Sequence, residues 1–308
     1  MIRRLVAVCT VLITALLVVA PATHAQHAHV SLPIGQQLDQ PWALASDGKG
    51  HIFVADRLNL RLVELSTTGS FLDQWDGFAL RIANSGPMGV AADAAGNIFA
   101  SDPAANQILR FSPQGKITAH LGKPGNGPGQ LFVPVGVAVA PNGSIYVADA
   151  LNDRVQELAP DGSFIRAWSG SGTAKGKFAR PFGVALGADG NVYVSDHLAG
   201  RVQEFTATGV YVRQFGTRGS GRGQLRMPFG LTVDTSGDVY VADELNQDVQ
   251  EFDPHGKVIN IWGGRHRSLF FDPSGVALAS DGSLYVVDQG RNRVVNVTRT
   301  HTVLARWP

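Results

Sequence analysis

The sequence predicts an all-β chain folded as one ring of six four-stranded antiparallel blades, and three observations predict it. A proline-led apolar segment recurs six times, at Pro41, Pro87, Pro134, Pro181, Pro228 and Pro273, with spacings of 46, 47, 47, 47 and 45 residues. An aspartate closing a second apolar run recurs in step, at Asp56, Asp102, Asp149, Asp196, Asp243 and Asp288. Of the 308 residues 36 are Gly and 16 are Pro, and no segment holds a sustained helical apolar period. Short strands joined by turns are therefore expected, and helices are not. Four strand-like runs repeated every ~40–50 residues are the signature of a six-bladed β-propeller when six copies are present.

The third and fourth copies show the elements of one blade. Gly-Val-Ala-Val after Pro134 is a short buried run, and the turn Pro141-Asn142-Gly143 ends it. Ile145-Tyr146-Val147-Ala148 follows, β-branched and aromatic as a strand prefers. An Asp-x-x-Asn-x-Arg loop leads to a third run, Arg154 to Leu158, and an Asp-Gly turn leads to a fourth, Phe164 to Trp168. The copy from Pro181 repeats this almost position for position, with Ala188-Asp189-Gly190 as its first turn. The last copy ends with His301 to Trp307 as its fourth strand, so 41–308 is one closed domain.

Residues 1–25 are set apart as a signal peptide. Arg3 and Arg4 precede the apolar run Leu5 to Ala20, and Thr23-His24-Ala25 supplies small residues for cleavage before Gln26. The apolar run is short for a membrane span of about 20 residues. Export to the periplasm or beyond is expected, with residues 26–40 as a lead-in and no membrane span left after cleavage. Cys9, the only cysteine, leaves with the signal, so the core must hold the fold without disulfides. Losing Arg3 and Arg4 takes the formal charge from +1 to −1. A hydrophobic content of 44% against 17% charged residues excludes disorder. The near-neutral balance argues against nucleic acid or a membrane surface as partner.

The consensus P-x-G-V-A-V, G-x-I-Y-V-A-D-x-x-N-x-R-V-Q and a closing Phe/Trp-Gly resembles the NHL repeat from about Pro41 to the C-terminus. That resemblance implies a six-bladed propeller. It implies little about activity, because NHL propellers include peptide-amidating lyases, RNA-binding modules, receptor sensor domains and secreted proteins of unassigned role. In the lyases, histidines after the leading prolines bind a catalytic zinc. Here those positions are Trp42, Met88, Val135, Phe182, Phe229 and Ser274. No zinc set of about three ligands assembles from them. His51, His120, His197 and His266 fit no ligand pattern, and neither H-E-x-x-H nor G-x-S-x-G is present. No cofactor is expected, although a metal ion in the channel stays open.

Two candidate regions remain. The residues after the prolines are expected to line the upper channel, where Trp42, Met88, Phe182 and Phe229 suit a small hydrophobic ligand or pack the mouth. The long connections on one face carry Lys175, Lys177 and Arg180, then Arg218, Arg222 and Arg226, then Arg265, His266 and Arg267. The short turns opposite carry Asp47, Asp93, Asp161, Asp189, Asp234 and Asp281. Clustered charge of one sign attracts anions. The repeated Asp–Arg spacing reads as a loop-fixing pair, because chemistry needs a site that breaks the repeat. Asp248 and Gln107 replace the arginine in two blades, and Asp243, Glu244 and Asp248 form a local acidic spot suited to a cation. Gly122 to Gly129 reads as an inter-blade linker rather than a phosphate loop. His27 and His29 read as part of a frayed tail. The expected function is a monomeric binding scaffold for a protein, peptide or anionic glycan. The alternatives are a channel-metal lyase or lactone hydrolase and, remotely, RNA binding.

Overall fold

Six sheets of four antiparallel strands each arise from consecutive stretches of chain, with the proline-led strand innermost. The computed structural model describes residues 28–29, 37–78, 86–264 and 269–308. Residues 1–25, on which the signal expectation rests, and Arg265, His266 and Arg267 lie outside that set. In the third blade the strands are Pro134–Val139, Ile145–Asp149, Arg154–Leu158 and Phe164–Ser169. The other blades follow this plan. The second begins late, at Val90–Ala92, because the pairing of the leading proline with the closing aspartate seen in the other blades is missing there. Two single-turn 3-10 segments, Ala150–Asn152 and Gln289–Arg291, are the only helical pieces among the described residues.

The hydrophobic core is divided among the interfaces between blades. Each of six clusters joins neighbours: Leu44, Ile52 and Val63 of the first blade, for example, pack with Tyr285, Val287 and Trp307 of the sixth. The second strands are buried throughout, as in Ile145–Asp149 and Val192–Asp196. That is why they read as continuous apolar runs rather than alternating ones.

Glycine two residues after the leading proline has a specific cause. A Cβ on Gly136 would sit 2.4 Å from the Phe182 carbonyl oxygen, and one on Gly183 2.4 Å from that of Phe229. The inner strands of neighbouring blades touch backbone to backbone there, and only glycine permits it.

The antiparallel order puts the connections between blades on one face, together with the loops between second and third strands. The remaining turns lie on the other face. The lead-in meets the ring at Ala28–His29, which pair in parallel with Ala305 and Arg306 and add a fifth strand to the edge of the sixth blade. His29 thus belongs to a strand rather than to a frayed tail, because the outer edge of the last blade offers its backbone a partner. The Gly122–Gly129 segment runs between Lys123–Pro124 and Gln130–Leu131, a short parallel pair within an inter-blade connection. No helix among the described residues is long and apolar enough to cross a membrane.

Candidate functional site at the channel mouth

The closing aspartates hold the long-loop face in shape. Asp149 Oδ1 accepts the Phe132 amide at 2.7 Å, 17 residues back, while its Oδ2 accepts Arg154 Nε at 2.8 Å. Arg154 also donates to the carbonyls of Gly127 and Gln130 in the preceding connection. The same set recurs in the fourth blade, where Arg201 bonds Asp196 and the carbonyls of Ala174 and Lys177. In four of the six blades a buried carboxylate and a guanidinium are thus paired where the long connection meets its blade. This is the structural role expected for the Asp-x-x-Asn-x-Arg element.

The fifth blade lacks that arginine. Asp243 is satisfied by the amides of Arg226, Met227 and Asn246 and by the Asn246 side chain. Asp248 is buried, and its Oδ1 has no partner. Burial pushes the Asp248 carboxyl up to about 7, with the Asp243 charge adding to the shift. Among the described residues no three His, Cys, Asp or Glu side chains gather as a metal-holding group. The local acidic spot of Asp243, Glu244 and Asp248 is not such a group. Burial raises the Glu244 and Asp248 carboxyls to about 7, and the Asp243 charge adds to both.

The channel mouth is where the blades differ. Trp42, Met88, Val135, Phe182, Phe229 and Ser274 ring a cavity of about 70 Å3, as the proline spacing predicts. Phe182 and Phe229 lie 5.1 Å apart, and Trp42 meets Phe229 edge-on at 5.2 Å. His197 stacks on Phe182 at 4.1 Å and is only 3% exposed. Its Nδ1 faces the Pro228 carbonyl at 3.3 Å. Burial pushes the imidazole pKa down to about 4, and the charges of Arg180 and Arg218 press in the same direction. His197 is therefore a neutral aromatic wall at neutral pH.

Arg57, Pro103, Ala150, His197, Glu244 and Gln289 follow the six closing aspartates. Gln40, Gly86, Val133, Arg180, Met227 and Asp272 precede the six prolines. Backbone bonds tie these two rings together, as from Glu244 to Met227 and from Gln289 to Asp272. The Arg57 guanidinium lies 4.6 Å above the Trp42 ring. Burial pushes the Glu244 carboxyl up to about 7, with Asp272 and Asp243 contributing. Sequence pattern placed neither Arg57 nor Asp272 at the mouth. The signal for both was available, because their positions change from blade to blade while the clip residues repeat.

The expected basic residues separate into two groups. Arg180 and Arg218 act on His197 and so flank the mouth. Lys175, Lys177 and Arg222 are exposed on the outer connections, with Arg222 donating to the Val258 carbonyl at 2.8 Å. Arg226 is half-buried, and its amide serves Asp243. A cleft lined by Thr173, Leu198, Ala199 and Arg218 lies between two connections. On the opposite face the acidic residues cap turns: Asp161 accepts the Ser163 amide, which holds its carboxyl below the usual range.

Solved structures share this architecture. The chain is 19% identical to a protein in a nidogen/laminin complex (TM-score 0.66), covering 83% of this chain and 92% of that one. It is 17% identical to virginiamycin B lyase from Staphylococcus aureus (TM-score 0.62; 87% and 84% covered). It is 18% identical to a gluconolactonase from Xanthomonas campestris (TM-score 0.63; 82% and 84% covered). At these identities the likeness extends to the fold: the chain is a six-bladed β-propeller. No known family's sequence profile matches it, and no curated protein does.

Proposed function

We propose that the protein is an exported binding propeller of NHL type that takes an acidic protein or peptide segment on its long-loop face. The observation that carries this reading is a contrast between two sets of cations. Arg61, Arg154, Arg201 and Arg293 are each paired with a closing aspartate. Lys175, Lys177, Arg180, Arg218 and Arg222 are exposed and have no carboxylate partner among the described residues. Phe132, Leu151, Leu198 and Phe271 lie exposed on the same face. Cations interspersed with apolar side chains suit an acidic polypeptide better than a glycan.

The test is binding of a glutamate-rich peptide, a neutral peptide and a short RNA to the wild type and to K175E/K177E/R218E/R222E. A loss of at least tenfold for the glutamate-rich peptide alone is expected. Unchanged affinity, or tighter binding of the RNA than of the acidic peptide, sinks the proposal.

One observation supports a second reading, acid–base catalysis. Glu244 is half-buried at the mouth with a carboxyl that titrates near neutrality. Turnover of a lactone or peptide substrate that is lost in Glu244→Gln would favour it over a scaffold.

A further inference from the structure

We propose that the channel mouth is a binding site for a small carboxylate with a short apolar tail, its carboxylate on Arg57 and its tail in the aromatic well. Arg57 breaks the repeat, since no other blade has a cation after its closing aspartate except as the neutral, stacked His197. Its guanidinium is half-buried against Trp42, and its Nη1 donates to Gln40 Oε1 at 3.3 Å. Its Nε has no partner, and no ion pair reaches it from any described carboxylate. The Asp272 charge adds to the rise of Glu244, while burial is what lowers Arg57. A half-buried guanidinium without a counter-charge is disfavoured, and a carboxylate supplies that charge.

The well fixes the rest of the ligand. Trp42 both carries Arg57 on its ring and forms part of the wall with Met88, Phe182 and Phe229. A volume of about 70 Å3 matches roughly two waters or a tail of two to three carbons, and it is too small for an aromatic ring. Ser274, the smallest side chain of the six, is buried in that wall beside the first blade. The complement is a short-chain monocarboxylate of about four carbons. The proposed contacts use none of Lys175, Lys177 and Arg222, the outer cations on which the acidic-partner reading also rests.

Butyrate, acetate, benzoate and 1-butanol are titrated into the full protein while the Trp42 indole N–H is followed by NMR, assigned with Trp42→Phe. Butyrate is expected to give a saturable shift and to bind at least fivefold tighter than acetate, with 1-butanol giving none. Arg57→Gln is expected to weaken butyrate at least tenfold and Arg57→Lys by less. K175E/K177E, on an outer connection, stays within twofold of wild type. The proposal is overturned if butyrate gives no saturable shift, if Arg57→Gln binds it as wild type does, or if 1-butanol or benzoate binds as tightly as butyrate.

Discussion

Asp248 occupies the position at which four other blades carry the arginine of the clip, and it bears the consequence in its protonation. Its carboxyl is raised from the ordinary value of 3.8 to about 7 by burial and then by Asp243. Between those values the folded protein holds a proton that the unfolded chain releases. Stability attributable to Asp248 is therefore fully present below the ordinary value and lost as pH rises through about 7. Asp248→Asn removes the ionisation and keeps the shape. It is expected to stabilise the protein at pH 8 by at least about 1 kcal/mol, since each tenfold change in proton affinity corresponds to about 1.4 kcal/mol. At pH 5 the gain should be much smaller. Urea denaturation at the two pH values checks this, and an equal effect at both would show that Asp248 is ionised in the fold.

At the scale of the strand and turn, the large apolar residue that ends each outer strand (Trp75, Leu121, Trp168, Phe215, Trp262 and Trp307) has a common physical role. The aromatic or apolar residue ending an outer strand packs onto the turn glycine of the next blade. A Cβ on Gly115 would lie 2.5 Å from the Trp75 ring, and one on Gly209 2.7 Å from Trp168. Both glycines have positive φ, +72° and +84°, so the turn and the packing demand glycine together. In the sixth blade His301 takes that place at φ 71° and stacks on Trp262, whose Nε1 donates to the Thr298 carbonyl at 2.8 Å. Gly115→Val is expected to lose about 3 kcal/mol or more through overpacking and strain. A melting temperature within a degree or two of wild type would show that the contact is slack. The repeat itself announced these glycines, but not their partners. Each partner sits one blade back, tens of residues away.

At the scale of the whole molecule, the ring closes by packing between its first and last blades. The four antiparallel strands of the sixth blade are consecutive chain, the N-terminal strand Ala28–His29 adds a fifth at its outer edge, and Trp307 packs onto Gly69 of the first blade. Trp307 is fully buried within the cluster shared by those two blades. Trp307→Ala is expected to cost about 3–5 kcal/mol and to weaken closure locally. Hydrogen exchange should then rise first in the inner strands Pro41–Ser46 and Pro273–Leu278, before the corresponding strands Pro134–Val139 and Pro181–Leu186. Uniform acceleration in all blades would mean that the ring opens as one unit rather than at its seam.

The period of about 47 residues determined the blade number, the strand order and the identity of the six channel-lining positions, because each depends on local pattern repeated in register. The paired role of Asp149 with Arg154, and of Asp196 with Arg201, was legible for the same reason: spacing within one loop sets that geometry. The functional residues were less legible because they depend on relations between blades. Arg57 over Trp42, His197 between Phe182 and Phe229, and Glu244 beside Asp272 all juxtapose residues that only ring closure brings together. Sequence alone determined the ring. The tertiary structure decided that its mouth holds a half-buried arginine over Trp42, a neutral histidine and a carboxyl raised to about 7, because burial and neighbouring charge set those states.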